Sequence, residues 1–380
     1  MNRRNFLKFA GLGYLSTQLS LLTGCTHQKF YNPDQDIILG GGLFKQNDEI
    51  HHVLAIVNLL QRKHQLIELD FLPHGIIIDP NDKTRLITFE KNGVNAAVVD
   101  LNSHAESTKI QTDDNKIFSG HGTFSKSGDV LYCVEVDLNS RKGRITVRDG
   151  NDFKLMDEIS SFGKNPHQCQ LIDNDQTLVV SNAGSDSENS PASITYIDVQ
   201  NKNLLERVTL SDTTIDAGHF ALAKDGSLII SSAPKQVDAT GGVSIRSNSI
   251  RSNAQPIITM TEPKVIFNKL SGEALSISID EQHNIAAVTH PTANLVTFWS
   301  IDKKELVKAM SVPNPRGITL SLDKNHFILS FGINTSAILV NTKDLAADTD
   351  SIMQPIYASG EHILNWSRTL MEIMPTKIYS

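Results

Sequence analysis

A histidine-led unit recurs along this chain and leaves few folds open to it. One copy runs Gly120, His121, Gly122, Thr123, Phe124, Ser125, then Lys126, Ser127, Gly128, Asp129, then an apolar run from Val130 to Val134 that ends at Glu135. It reads as a short strand opening on a histidine between glycines, a Ser-Gly-Asp turn, and a second strand rich in β-branched and aromatic residues. The same order follows His74 (turn 79–82, apolar run 86–89, then Glu90), His167 (turn 173–175, run 178–180, then Asn182) and His219 (turn 224–226, run 228–231). Two later units, led by Ser276 and Arg316, keep the turn and the strand without the histidine, and a seventh start stands at His362. Successive starts lie 40 to 57 residues apart. A strand-and-turn repeat of that length is the signature of a propeller blade, a four-stranded sheet that buries its two faces only against its neighbours.

Seven starts predict an all-β, seven-bladed β-propeller. A pair of packed sheets is the competing architecture, but sandwiches do not repeat one turn chemistry at one period. Three strands, at 37–43, 53–60 and 66–71, precede the first complete unit, and 362–366 supplies one strand at the other end. The last blade is therefore expected to combine one C-terminal with three N-terminal strands. The Ser-, Asn- and Gly-rich stretch 235–255 lacks periodicity and reads as an irregular excursion.

The first residues carry a different message. Asn2-Arg3-Arg4-Asn5-Phe6-Leu7-Lys8 is a twin-arginine export pattern, followed by a modestly apolar segment too short to span a membrane. Leu22-Thr23-Gly24-Cys25 then matches a lipobox, whose cysteine is lipidated. An ordinary secretory signal would also begin with positive charge, but the Phe-Leu-Lys after the arginines favours the twin-arginine route. The expected organisation is a signal peptide at 1–24, a lipidated polar tether at 25–36, and one propeller domain at 37–380, held on the periplasmic side of a bacterial membrane. The twin-arginine translocase is the expected export partner. The formal net charge of −7 becomes more negative when Arg3, Arg4 and Lys8 leave, which excludes nucleic acid as a partner sought by charge. Cys133 and Cys169 remain, with no disulfide expected between them.

No phosphate loop, zinc-protease helix, nucleophile elbow or CxxC pair occurs. Position carries what remains. The first strand of a blade lines the central channel, and its entry residue shares a rim with the end of the second strand, because adjacent strands run antiparallel. His74, His121, His167, His219 and His362 are thereby candidate metal ligands. Arg316, Glu90, Glu135, Asn182 and His290 are candidate ligand-binding neighbours. Imidazole and carboxylate without thiolate suit Fe, Cu, Zn or Mn, and binding by ordinary histidines should fail as pH drops through about 6.5. The bland alternative gives each histidine a turn-stabilising bond instead. Asp79, Asp173, Asp225, Asp280 and Asp323 read as turn residues.

Taken together, these features resemble the twin-arginine-exported propellers grouped as domain of unknown function 1513. The likeness runs over the chain beyond the signal peptide. Its most recognisable pieces are the His121 unit on to Asp149, Asn165-Pro166-His167, 178–184 and 193–210. Gln168 departs from it, standing where an acid is expected, and the loop after Gly184 is short. The resemblance implies the fold, the address and an association with iron-uptake lipoproteins, and no reaction. Three readings follow: an accessory protein binding a metal, metal complex or partner at the histidine-rich mouth; a periplasmic metalloenzyme, hydrolytic or redox, at the same mouth; or a scaffold without ligand.

Overall fold

The computed structural model describes residues 30–185, 190–236, 239–246 and 257–374. The expected export motif, lipidation cysteine and start of the expected tether lie outside them. Seven four-stranded antiparallel sheets follow the predicted period. Blades 1 to 6 span residues 73–111, 116–164, 166–209, 219–259, 277–311 and 315–353, each with its strands in chain order. Blade 7 is composite: Ile363–Asn365 is its inner strand, followed outward by Ile37–Gln46, Glu49–Asn58 and Lys63–Leu69.

Burial explains why a uniformly apolar run becomes the second strand of a blade. Thr177–Asn182, Leu228–Ser232 and Ile285–His290 are buried along their whole length, because each faces a neighbouring blade on both sides. Outer strands such as Leu204–Thr209 and Glu305–Ser311 are half in water and mix polar with apolar residues. The apolar clusters accordingly lie between blades. Val179, Ile194 and Tyr196 of blade 3 pack on Phe220, Leu228 and Ile230 of blade 4, and Ile87 and Phe89 of blade 1 pack on Phe118 and Leu131 of blade 2.

The expected turn aspartates do what their chemistry suggests. Asp79, Asp225, Asp280 and Asp323 each accept from the backbone N–H two residues on, and Asp173 accepts from the Thr177 hydroxyl. Cys133 and Cys169 are buried free thiols.

Two expectations need correction. The stretch 235–255 is not irregular throughout, since Gly242–Arg246 is a fully buried third strand; its glycines and serine mask a pattern that packing between blades 4 and 5 imposes. The C-terminal strand is also shorter than 362–366, because a helix, Trp366–Ile373, begins where the strand ends. Asn365 caps that helix by accepting from the Arg368 N–H, and its amide donates to the Asp36 carboxylate and the Leu320 carbonyl. Asp36 also accepts from the Leu322 N–H, so one carboxylate ties blade 6, the inner strand of blade 7 and the start of Ile37–Gln46. Trp366 is buried and donates from its indole to the Lys83 carbonyl of blade 1.

Closure is therefore non-covalent and local. Deleting residues 358–380 should abolish cooperative unfolding of the whole ring, because it leaves a bare edge in blade 7. Replacing Trp366 with Ala should cost about 3–5 kcal/mol in chemical denaturation, the usual penalty for emptying a buried aromatic site; an unchanged midpoint in either variant would refute closure by this segment.

Candidate metal centre

Backbone irregularity aims the site. In blades 1, 2, 3 and 6 the inner strand slips register against its partner, between Pro73 and Ile76, Phe118 and Gly122, Pro166 and Cys169, and Pro315 and Ile318. His74, His121, His167 and Arg316 each sit inside one of these bulges, which turn a side chain out of the regular alternation. A hydroxyl on the second strand secures the entry in several blades. Ser181 accepts from Gln168 N–H and donates to the Gly218 carbonyl of the next blade. Thr289 does the same between Ser276 and Arg316, and Ser330 accepts from Gly317 N–H. Gln168, the departure noted in the sequence, both donates to the Phe220 carbonyl and accepts from its N–H across the blade 3–4 boundary. An acid at that position could only accept.

The result brings all five predicted histidines together in the channel. One ring nitrogen each from His74, His121, His219 and His362 lies within 4.8 Å of the others. The Nε2 of His219 is 2.7 Å from the Nε2 of His167 and 2.8 Å from that of His362. Ring centroids of His219 and His362 are 4.1 Å apart, and those of His74 and His121 4.7 Å. Glycine makes this density possible. Gly120 has φ +107°, and a Cβ there would stand 2.4 Å from Cδ2 of His74; a Cβ at Gly75 would stand 2.9 Å from Nδ1 of His121. A cavity of about 150 Å³ adjoins the cluster and continues along the inner strands past Ile76, Ile277 and Leu364.

The cluster lacks the protons to satisfy itself. His219 Nε2 faces two imidazole nitrogens but, in a neutral ring, either donates one proton or offers one lone pair. The Nε2 atoms of His74 and His121 are buried without any hydrogen-bond partner. Protonation is no escape: burial, reinforced by neighbouring imidazoles or Lys91, holds His74, His121, His167 and His219 well below the ordinary histidine range, and burial holds His362 at about 4. A cation accepting lone pairs resolves the conflict. Two imidazole nitrogens bound tetrahedrally to one ion at about 2.0–2.1 Å stand about 3.3–3.4 Å apart, so ligation by His219 and His362 needs their 2.8 Å separation to open by about half an ångström. The residues thus fit a transition metal, and an all-imidazole set favours Zn, Cu or Fe over Mn, which prefers carboxylates.

Glu361 lies 3.4 Å from Nδ1 of His74, placed to fix its tautomer so that Nε2 presents a lone pair. Lys91 pairs with Glu361 at 2.6 Å. Glu273 and Asp216 lie near enough to feel the charge of Lys91, with Asp216 raised to about 6 chiefly by burial. None of these four was singled out from the sequence: they fall outside the strand period, and only the position of Glu361, next to His362, could have drawn notice.

Four predicted neighbours are elsewhere. Glu90 accepts from the backbone and side chain of Asn95. Glu135 bonds Thr146 and Arg148, Asn182 bonds Thr195 and Ser161, and His290 bonds Thr297. For Asn182 and His290 the reason is strand alternation. Ser181 and Thr289 face the inner strand, so Asn182 and His290, one residue on, turn to the opposite side, where they meet a threonine of the third strand. Arg316 alone of the five stays beside the cluster, next in ring order to His362.

Depressed histidine pKa values have a consequence for stability. Below about 6.5 the unfolded chain takes up protons that the folded cluster refuses, so the unfolded state binds more protons and stability rises with pH in this window. Metal-free protein should therefore lose stability as pH falls from about 6.5 toward the folded values, by up to about 1.4 kcal/mol per pH unit for each histidine. A His121→Gln, His219→Gln variant should show a shallower acid limb in its melting temperature; an identical limb would refute the buried neutral cluster. The same shift corrects the expectation that ligation fails at about 6.5, since in the folded state the imidazoles stay neutral to lower pH.

Comparison with known proteins adds the following. No curated relative matches the sequence. A hydrazine synthase structure from Kuenenia stuttgartiensis superposes with a TM-score of 0.63 at 14% identity, covering 84% of this chain and 99% of that one. A hypothetical selenium-binding protein from Sulfolobus tokodaii superposes with a TM-score of 0.61 at 12% identity, covering 84% and 91% respectively. Both likenesses concern the fold. The model of a family described as protein of unknown function (DUF1513) matches residues 68–357, most of the chain, and the chain belongs to that family.

Proposed function

We propose that this protein is an exported, lipid-anchored propeller that binds a transition-metal ion through the histidine cluster of its channel, as an accessory protein of metal uptake. The observation that carries the reading is the pair of buried, unpartnered Nε2 atoms on His74 and His121 within reach of His219 and His362. A ligand-free scaffold predicts ring nitrogens satisfied by turns, and these are not. Binding is favoured over catalysis because Glu90 and Glu135 are engaged away from the cluster, and Glu361, the acid that reaches an imidazole, is paired with Lys91. The cavity of about 150 Å³ beside the imidazoles has room for an ion together with a small ligand. Export and anchoring rest on Arg3, Arg4 and Cys25, and the link to iron-uptake lipoproteins on family resemblance.

Isothermal titration with Zn²⁺, Cu²⁺ and Fe²⁺ is the test, and wild type should bind at least one ion more tightly than about 100 μM. A His121→Ala, His219→Ala variant, checked for folding by circular dichroism, should bind at least about tenfold more weakly, as loss of two ligands demands. Equal binding by the variant, or none by wild type, defeats the metal reading. Separately, Cys25→Ser should abolish palmitate labelling and release the protein from membranes; a variant that still labels contradicts the anchor.

A further inference from the structure

Position by position, the ring of inner-strand entries reads His74, His121, His167, His219, Ser276, Arg316, His362. Imidazoles come from blades 7, 1, 2, 3 and 4, and the ring has a gap at blades 5 and 6. Arg316 fills half of it. It follows Pro315 inside the same kind of bulge that presents His74 after Pro73 and His167 after Pro166. Its neighbour Gly317 lies against the peptide of His362 and Ile363, where a Cβ would come within 2.6 Å of the Ile363 nitrogen.

Arginine at this position has no structural task that its side chain performs. Its carbonyl accepts from Thr289, but its guanidinium makes no ion pair or hydrogen bond among the described residues, and its Nε is buried without a partner. Arg316 is partly buried, and its Nε is shielded from water without a partner, which leaves a fixed cation short of a hydrogen bond. Nearby acids do not relieve it. Glu361 is taken by Lys91, Asp216 accepts from the Ala233 N–H, and Glu273, though close enough to feel the guanidinium, forms no ion pair with it.

The metal reading makes the same corner incomplete from the other side. Five neutral imidazoles bring no charge to a buried dication, and of the nearby acids Glu361 is paired with Lys91 and Asp216 with the Ala233 N–H, so much of the ion's charge is left without a partner at a desolvation cost. An anion coordinated from the side of blades 5 and 6 would supply the missing charge. It would also meet the free guanidinium, whose fork of donors matches carboxylate and oxyanion geometry.

We propose that the channel binds its metal together with an oxygen-donor anion, held between the ion and Arg316 on the Ser276 side of the ring, with Lys91 adding positive field. This rests on the metal reading and names the class of its ligand: a metal with a bound oxyanion or carboxylate. The shared chemistry is the oxygen donor, which a free inorganic oxyanion or the carboxylate of a metal chelate would supply equally.

Titration of Zn²⁺ and Cu²⁺ into full-length protein, in a buffer without coordinating anions, separates this from the parent reading. Phosphate and citrate are then added in turn, with correction for metal held by citrate in solution. Wild type should gain at least about tenfold in metal affinity from one or both anions, the worth of one charge-assisted hydrogen bond. Arg316→Gln should keep the anion-free affinity within about threefold, less than a single neutral hydrogen bond is worth, and lose the gain; Arg316→Lys should retain part of it. The Cu²⁺ electron paramagnetic resonance spectrum should shift on anion addition in wild type and not in Arg316→Gln. A gain with phosphate assigns a free oxyanion, and a gain with citrate alone a chelate. No gain in wild type, or an equal gain in Arg316→Gln, overturns the anion while leaving the metal reading intact. Absence of metal binding with and without anion overturns both.

Discussion

A propeller blade cannot bury two apolar faces by itself, and everything in this protein follows from the need to give it two neighbours. Blade 7 is the point of greatest demand, because its inner strand arrives last in sequence and pairs with strands made first. Ile363–Asn365 lies in register with Ile38 to Gly40, and Asp36, Asn365 and Leu322 lock the junction. Once the ring is shut, seven entry residues have no choice but to share one channel. The convergence of His74 and His362, 288 positions apart, is a consequence of closure and not of any local motif.

Closure alone would bring only backbone together. Side chains reach the channel because bulges break the alternation at four entries, and because hydroxyls such as Ser181 and Thr289 bridge each entry to the next blade. The clasp is polar and satisfied, whereas the imidazoles it presents are crowded and not. Stabilising residues surround a destabilised group, which is the pattern expected where a ligand rather than the fold decides residue identity. Gly120, with its left-handed backbone against the face of His74, belongs to the same arrangement: glycine there serves the approach of rings as much as the turn.

The fold was readable because its determinants are periodic. Turn aspartates, apolar second strands and entry histidines each recur at blade length, so a single chain reports each of them several times over. What failed was whatever depends on phase within a strand. Asn182 and His290 share a rim with the histidines but lie one residue out of phase with Ser181 and Thr289, and that single step sends them into the blade instead of the mouth. Gly242–Arg246 was invisible for a related reason, since its burial comes from blades packed on both sides and not from its own hydrophobicity. Lys91, Glu361 and Glu273 sit in connections, where no repeat constrains them, and only the folded ring brings Glu361, with Lys91 paired to it, against His74.

Shared fold says little about shared chemistry here, and the ring itself shows why. The scaffold fixes seven positions around one axis but not the residues on them; Ser276 occupies an entry as comfortably as His219, with its hydroxyl accepting from Ile318 N–H. Any activity therefore lies in the choice of side chains at those seven positions and in the charged connections above them. Five imidazoles together exceed what tetrahedral coordination of one ion uses, so at least one ring is free to orient others, and His167 is the natural candidate: it contacts the cluster through His219 alone among the hydrogen bonds described, and it stands outside the tight set of four. A ring of this composition is asymmetric by construction, with soft neutral donors on one side and a hydroxyl and a fixed cation on the other. That asymmetry gives the channel a direction in the plane of the ring, and it is the feature by which this propeller's centre differs from a packed core.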